Sequence, residues 1–127
     1  MPASPVLDAS ALVRGLLDSG HPVRKYFLQA VAPELALVEV AHALTKYVRS
    51  GLLARERADV AFTDLLALPL RLRPLHELVG GAFQTALAQR ISTYDACYLV
   101  LAERAGAVLV TADRRLAALA TRSELVA

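Results

Sequence analysis

Short apolar runs with no polar alternation, at residues 4–7 and 107–110, are separated in this chain by longer segments of helical period. Such runs read as strands buried on both faces, and strands that take turns with helices build a parallel sheet covered by helices on each side. The first run ends at Asp8 and leads into a helix through Leu12, Val13, Leu16 and Leu17, with Ser10 as a suitable cap and Gly20 as a stop. A second helix is predicted over 22–29, then a short strand near Val31 and a break at Pro33. Over 34–49, Leu37, Val40, Ala41, Leu44 and Val48 recur at helical spacing before Gly51, while Glu39, His42, Lys46 and Arg49 fall on another stripe. Further helices are predicted over 55–68, 76–90 and 113–120, and one apolar nearly all round opens at Thr93 and ends by Gly106. Gly80 and Gly81 weaken theirs by about 1 kcal/mol each relative to Ala. The Leu/Arg alternation of 70–75 and the pair Leu125 and Val126 suit edge strands. The expected fold is a three-layer α/β/α domain with a central parallel sheet of about five strands, in which ligands gather at the strand C-termini near the topological switch.

A chain of 127 residues is expected to form a single domain, 1–127, with no linker or repeat to divide it. The hydrophobic fraction of 56% and mean hydropathy of +0.44 call for burial in a two-sided core or at a subunit interface. Helix 55–68 carries Val60, Leu65 and Leu66 beyond what one side of a small sheet covers, so an isologous homodimer is expected. Charges or His interrupt every apolar stretch before the roughly 20 residues that span a bilayer, which argues against a membrane protein. No signal-peptide pattern precedes Asp8, and the single Cys97 has no partner for an internal disulfide; both point to a cytoplasmic location. The net charge of +2 says almost nothing about a nucleic-acid partner. Only Lys25 and Lys46 are lysines; the arginines have a fork that suits phosphate, though compositional bias explains them as well.

Asp8, Glu39, Asp95 and Asp113 stand at strand ends or on apolar helices, with no lysine beside the first three. Singly, Asp8, Asp113 and Asp95 are explained by helix capping or first-turn placement. Glu39 is not, since it lies in a second helical turn between Val38 and Val40, and Asp95 is the only charged residue between Arg90 and Glu103. Carboxylates in apolar surroundings are costly unless something cationic meets them. Hard oxygen donors suit Mg²⁺ or Mn²⁺ rather than zinc. Acids holding one or two such ions are apparatus for phosphodiester cleavage: one ion activates water, and a second about 3.5 to 4 Å away steadies the leaving oxygen.

The strings Val-Leu-Asp-Ala-Ser-Ala-Leu, Leu-Val-Glu-Val-Ala-His-Ala-Leu, Tyr-Asp-Ala-Cys-Tyr-Leu-Val-Leu-Ala-Glu and Leu-Val-Thr-Ala-Asp-Arg-Arg-Leu occur in this order between Val6 and about Leu119. Together they resemble the PIN-domain nucleases, whose short single-domain members are typically VapC toxins of toxin-antitoxin pairs. The resemblance implies that Asp8, Glu39, Asp95 and Asp113 form a catalytic metal site, with the hydroxyls of Ser10 and Thr111 supporting them. It implies an endoribonuclease that needs Mg²⁺ or Mn²⁺, acts on RNA and is silenced by a cognate antitoxin. Arg14, Arg114 and Arg115 are candidates to contact RNA phosphates, although a solvated helix face accounts for them too. His42 lies three positions after Glu39 and could share its face, but a hydrogen-bonded helix histidine is the favoured reading over a general base. Cys97, Tyr94 and Tyr98 are expected to pack, the tyrosines in preference to stacking a base.

Other readings are a non-toxin PIN-like RNA-processing nuclease, a phosphatase or phosphotransfer domain with Asp8 as nucleophile, and a binding module that cuts nothing. The phosphotransfer class usually wants a second Asp two residues on, where this chain has Ser10.

Overall fold

The structure is a computed structural model that describes residues 3–127. Five strands, β1 (Val6–Leu7), β2 (Val31–Pro33), β3 (Arg71–Arg73), β4 (Leu109–Thr111) and β5 (Ser123–Leu125), form one sheet in the order β3-β2-β1-β4-β5. Every neighbouring pair is parallel, and β1 is in register with both flanks through Val6 opposite Val31 and Leu109, and Leu7 opposite Val110. The chain builds outward from β1 through β2 to β3, then returns to lay β4 on the other side of β1. The topological switch therefore lies between β1 and β4, whose C-terminal ends lead directly to Asp8 and Asp113.

The helices are α1 (Ala9–Leu17), α2 (Leu35–Arg49), α3 (Arg55–Ala67), α4 (Leu75–Gln89), α5 (Thr93–Ala105) and α6 (Arg114–Leu119). Helix α5 lies against β1, β2 and β4 with α4 packed outside it, while α1, α2 and α3 pack on one another. The result is the expected three-layer α/β/α arrangement with five strands. The near-continuous apolar run on α5 now has its reason. Residues Ala96 to Ala102 are all buried, because the helix is covered by the sheet on one side and by α4 and α6 on the others. Cys97 is one of these core side chains. No helix among the described residues is long and apolar enough to cross a membrane.

Several local details differ from the sequence expectations. The cap of α1 is Asp8, not Ser10: the Asp8 carbonyl already accepts from Leu12 and its side chain from the Ala11 N–H, so the helix begins two residues before a Ser10 cap would start it. The helix expected over 22–29 is a five-residue 3₁₀ turn, Pro22–Tyr26, capped by His21 Nδ1, because β2 must begin by Val31. The last strand falls at Ser123–Leu125, one residue or two earlier than expected. Of the three apolar residues singled out on α3, Leu65 is in the core while Val60 and Leu66 are exposed. Tyr94 does not pack; it is exposed.

Two glycines permit close approaches. A Cβ on Gly15 would sit 2.3 Å from Phe27 Cζ and 2.9 Å from a Val23 methyl, so α1 admits the 3₁₀ segment only because that carbon is missing. A Cβ on Gly81 would meet an Arg104 nitrogen at 2.9 Å and Val100 at 3.3 Å, which sets the α4 to α5 spacing. Gly80 meets nothing within 4 Å.

Candidate active site

Asp8 is the last residue before α1 and the first beyond β1, and it is only 5% exposed. Its Oδ1 accepts from Ser10 Oγ at 2.6 Å and from the Ala11 N–H at 2.9 Å, and its Oδ2 accepts from the Thr111 hydroxyl. Ser10 Oγ also accepts from the Ala112 N–H, and Thr111 Oγ1 from the Asp113 N–H. The two hydroxyls thus lace the β1–α1 turn to the β4–α6 turn. Because the strands are parallel neighbours, both turns emerge at the same end of the sheet, which brings residues a hundred positions apart together.

Asp113 caps α6, its Oδ1 accepting from the N–H groups of Arg115 and Leu116, and it is exposed. Asp95 lies in the first turn of α5, where its own N–H is held by the cap Ser92. Glu39 projects from the second turn of α2 and accepts from Tyr98 Oη at 2.6 Å. The capping reading of Asp8 and Asp113 is therefore correct as geometry, and it does not compete with their meeting Asp95 and Glu39.

The acids act on one another: Asp113 on Asp8, Asp113 and Asp8 on Asp95, and Asp95 and Asp8 on Glu39. Burial raises the Asp8 carboxyl above its ordinary value, against the hydrogen bonds from Ser10, Thr111 and Ala11, and Asp113 adds repulsion. Asp95 is raised by burial, then by Asp113 and Asp8, with Ser92 and Arg115 working the other way. Glu39 is raised by burial, opposed by Tyr98, and raised further by Asp95 and Asp8. None of the four has an ion-pair partner among the described residues. They are spaced as neighbours, and no three acid, histidine or cysteine side chains among the described residues are drawn into a ready-made cation cage.

The candidate arginines separate. Arg115 reaches the Arg90 carbonyl at 2.7 Å, and its charge acts on Asp95, which puts it at the rim of the acids. Arg14 bonds the Ala127 carbonyl instead. His42 is exposed and helps to hold Glu39 charged. Ser92 and the hydroxyl of Tyr98 were not foreseen as parts of the site. The signal for Tyr98 was its place three residues after Asp95 on a helix with no wet face, since a buried phenol needs a hydrogen-bond partner.

The PIN domain family model matches residues 6–121. The chain belongs to the PIN-domain family. It is 38% identical over 86 residues to ribonuclease VapC3 of Pyrobaculum aerophilum, a match that spans 66% of each chain. It is 36% identical to ribonuclease VapC3 of Mycobacterium tuberculosis, over 91% of this chain and 87% of that one. For ribonuclease VapC12 of the same organism the identity is 35%, over 88% of each. The crystal structure of PAE2754 from Pyrobaculum aerophilum superposes with a TM-score of 0.78 at 28% identity, covering 98% of this PIN domain and 91% of that chain.

Proposed function

We propose that this PIN domain is an endoribonuclease that hydrolyses RNA phosphodiester bonds, acting in the cytoplasm as the toxin of a toxin-antitoxin pair. The observation that carries the reading is that Asp8, Glu39, Asp95 and Asp113 repel one another near the strand C-termini and form no ion pair among the described residues. Kinship with chains named ribonuclease VapC supports the substrate class.

The donor set fits Mg²⁺ or Mn²⁺: it is all hard oxygen and without an ion pair. Asp8, Glu39, Asp95 and Asp113 would hold the ion or ions directly or through water. A divalent cation there supplies Lewis-acid activation of water and stabilisation of charge on the leaving oxygen. The chain's own part is positional. Ser10, Thr111 and the Ala11 N–H aim the Asp8 carboxylate. Ser92 sets the start of α5 under Asp95. Arg115, anchored on Arg90, would meet a phosphate of the bound strand. Arg14 and Arg114, both exposed, would serve only RNA that extends beyond this rim. The phosphotransfer alternative asks Asp8 for a free, accessible oxygen, and here both oxygens accept hydrogen bonds within a nearly closed site.

Two partners complete the reading. On α4 the apolar side chains Val79, Phe83 and Leu87 recur every four residues and are each more than half exposed, a face suited to a second copy in a homodimer. A groove of about 420 Å³ between α2 and α3, lined by Ala41, Leu44, Val48 and Phe62, offers an apolar seat for the antitoxin, while the acids attract its basic side chains.

The test is RNA cleavage by the purified chain with Mg²⁺, with Mn²⁺ and in excess chelator, beside Asp95→Asn. Cleavage that needs the ion and is lost in the variant is the expected result. Full activity in chelator sinks the metal reading, and absence of cleavage of any RNA under all conditions sinks the nuclease. Sedimentation equilibrium of wild type against Phe83→Lys checks the dimer, which the variant should dissociate.

A further inference from the structure

Tyr98 is among the largest side chains sealed in the core, at 1% exposure, yet its hydroxyl is spent on an acid of the candidate site: Oη donates to Glu39 Oε1 at 2.6 Å. The hydroxyl thus ties α5 to α2, the two elements that carry Asp95 and Glu39. Glu39 has no other side-chain hydrogen bond among the described residues. Repelled by Asp95 and Asp8, a glutamate on three rotatable bonds would otherwise turn toward solvent. The tether comes from the rigid core side and leaves the second carboxylate oxygen of Glu39 without a protein partner.

We propose that Tyr98 is a positioning residue of this site, whose hydroxyl fixes Glu39 beside Asp8 and Asp95 so that a divalent cation is admitted, without itself touching substrate. The proposal rests on the reading of the four acids as cation ligands.

The experiment is Mn²⁺ binding to the full chain by titration calorimetry, with thermal melts in chelator, for wild type, Tyr98→Phe, Asp8→Asn and the packing control Val100→Ala. Phe keeps the buried ring and removes one oxygen. The expected result is a folded Tyr98→Phe protein whose Mn²⁺ affinity falls about 10- to 100-fold, the range for partners that orient a metal ligand. The Mn²⁺ concentration for half-maximal cleavage should rise in parallel. Val100→Ala should lower the melting temperature and keep wild-type Mn²⁺ affinity. Unchanged affinity in Tyr98→Phe, an equal loss in Val100→Ala, or failure of Tyr98→Phe to fold each overturns the proposal. If Asp8→Asn binds Mn²⁺ as wild type does, the underlying reading of the acids falls; if Asp8→Asn loses binding and Tyr98→Phe does not, only the role of Tyr98 falls.

Discussion

Charge is handled in opposite ways at the middle of the sheet and at its β3 edge. At the edge, Arg73 and Glu77 form an ion pair at 2.6 Å on the wet side of α4, with side chains 49% and 43% exposed, the only ion pair among the described residues. Between β1 and β4, where a counter-charge would matter far more, Asp8, Glu39 and Asp95 form no ion pair among the described residues. An exposed pair of this kind is worth about 0 to 1 kcal/mol, whereas uncompensated acids in a half-dry pocket cost stability. A chain arranged for stability alone would pair the buried acids first. The reverse arrangement is what the proposed cation site asks of the centre, while the edge is ordinary solvated surface.

The sharpest way to break this comparison is at Asp95. Asp95→Asn should lower cleavage by at least about 100-fold, the upper figure for residues that merely orient a metal ligand, and its metal-free melting temperature should hold or rise because repulsion from Asp113 and Asp8 is relieved. Cleavage assays and melts in chelator read both. Asp8→Asn is a poorer probe of stability, since it places an amide against the Thr111 hydroxyl.

Packing differs as charge does, and a matched pair of glycines measures it. Gly15→Ala should destabilise by about 1 to 3 kcal/mol, because the new methyl collides with Phe27 and Val23. Gly80→Ala, on the open outer face of α4, should stabilise by about 1 kcal/mol. Denaturant titration of both variants tests the contrast, and equal effects would erase it.

The pH dependence follows from the same acids. Asp8, Glu39 and Asp95 all have carboxyls raised above their ordinary values of 3.8, 4.5 and 3.8, burial being the largest cause in each. The folded chain therefore holds these protons more tightly than the unfolded one. The stability they contribute is full below the ordinary values and is lost as pH rises through the raised ones. Metal-free melts should fall over that window, and Mg²⁺ should restore stability at the upper end by binding the ionised form. A melting temperature in chelator that rises across this window would contradict the placement of the acids. The smallest effect belongs to the edge: Glu77→Ala should change stability by less than about 1 kcal/mol and leave cleavage unaltered.

Much of the site was legible in the sequence because its parts are local. An acid directly after a buried apolar run must lie at a strand C-terminus, and a lone acid on a helix apolar all round must face something unusual; Asp8, Asp113 and Asp95 follow from that. Glu39 stood out because a second-turn position excludes capping. What periodicity could not supply was partnership. Whether Ser10 or Asp8 caps α1 depends on which carbonyl takes the first helical bond, two positions apart in a pattern that tolerates both. That Tyr98 meets Glu39, 59 residues away, and that Arg115 rather than Arg14 stands at the rim, depend on how α5, α2 and α6 are set around the sheet.

By itself the sequence determined the alternation of strands and helices and the four acids in their order, because hydrophobic period and capping chemistry act over a few residues and leave their marks there. Only the tertiary structure decided the strand order β3-β2-β1-β4-β5, which places the β1 and β4 turns side by side. It also decided the hydroxyl lacing through Ser10 and Thr111, and the exposure of the Val79, Phe83 and Leu87 stripe. These are contacts between elements, and their energies depend on which surfaces the sheet brings together rather than on any one stretch of chain.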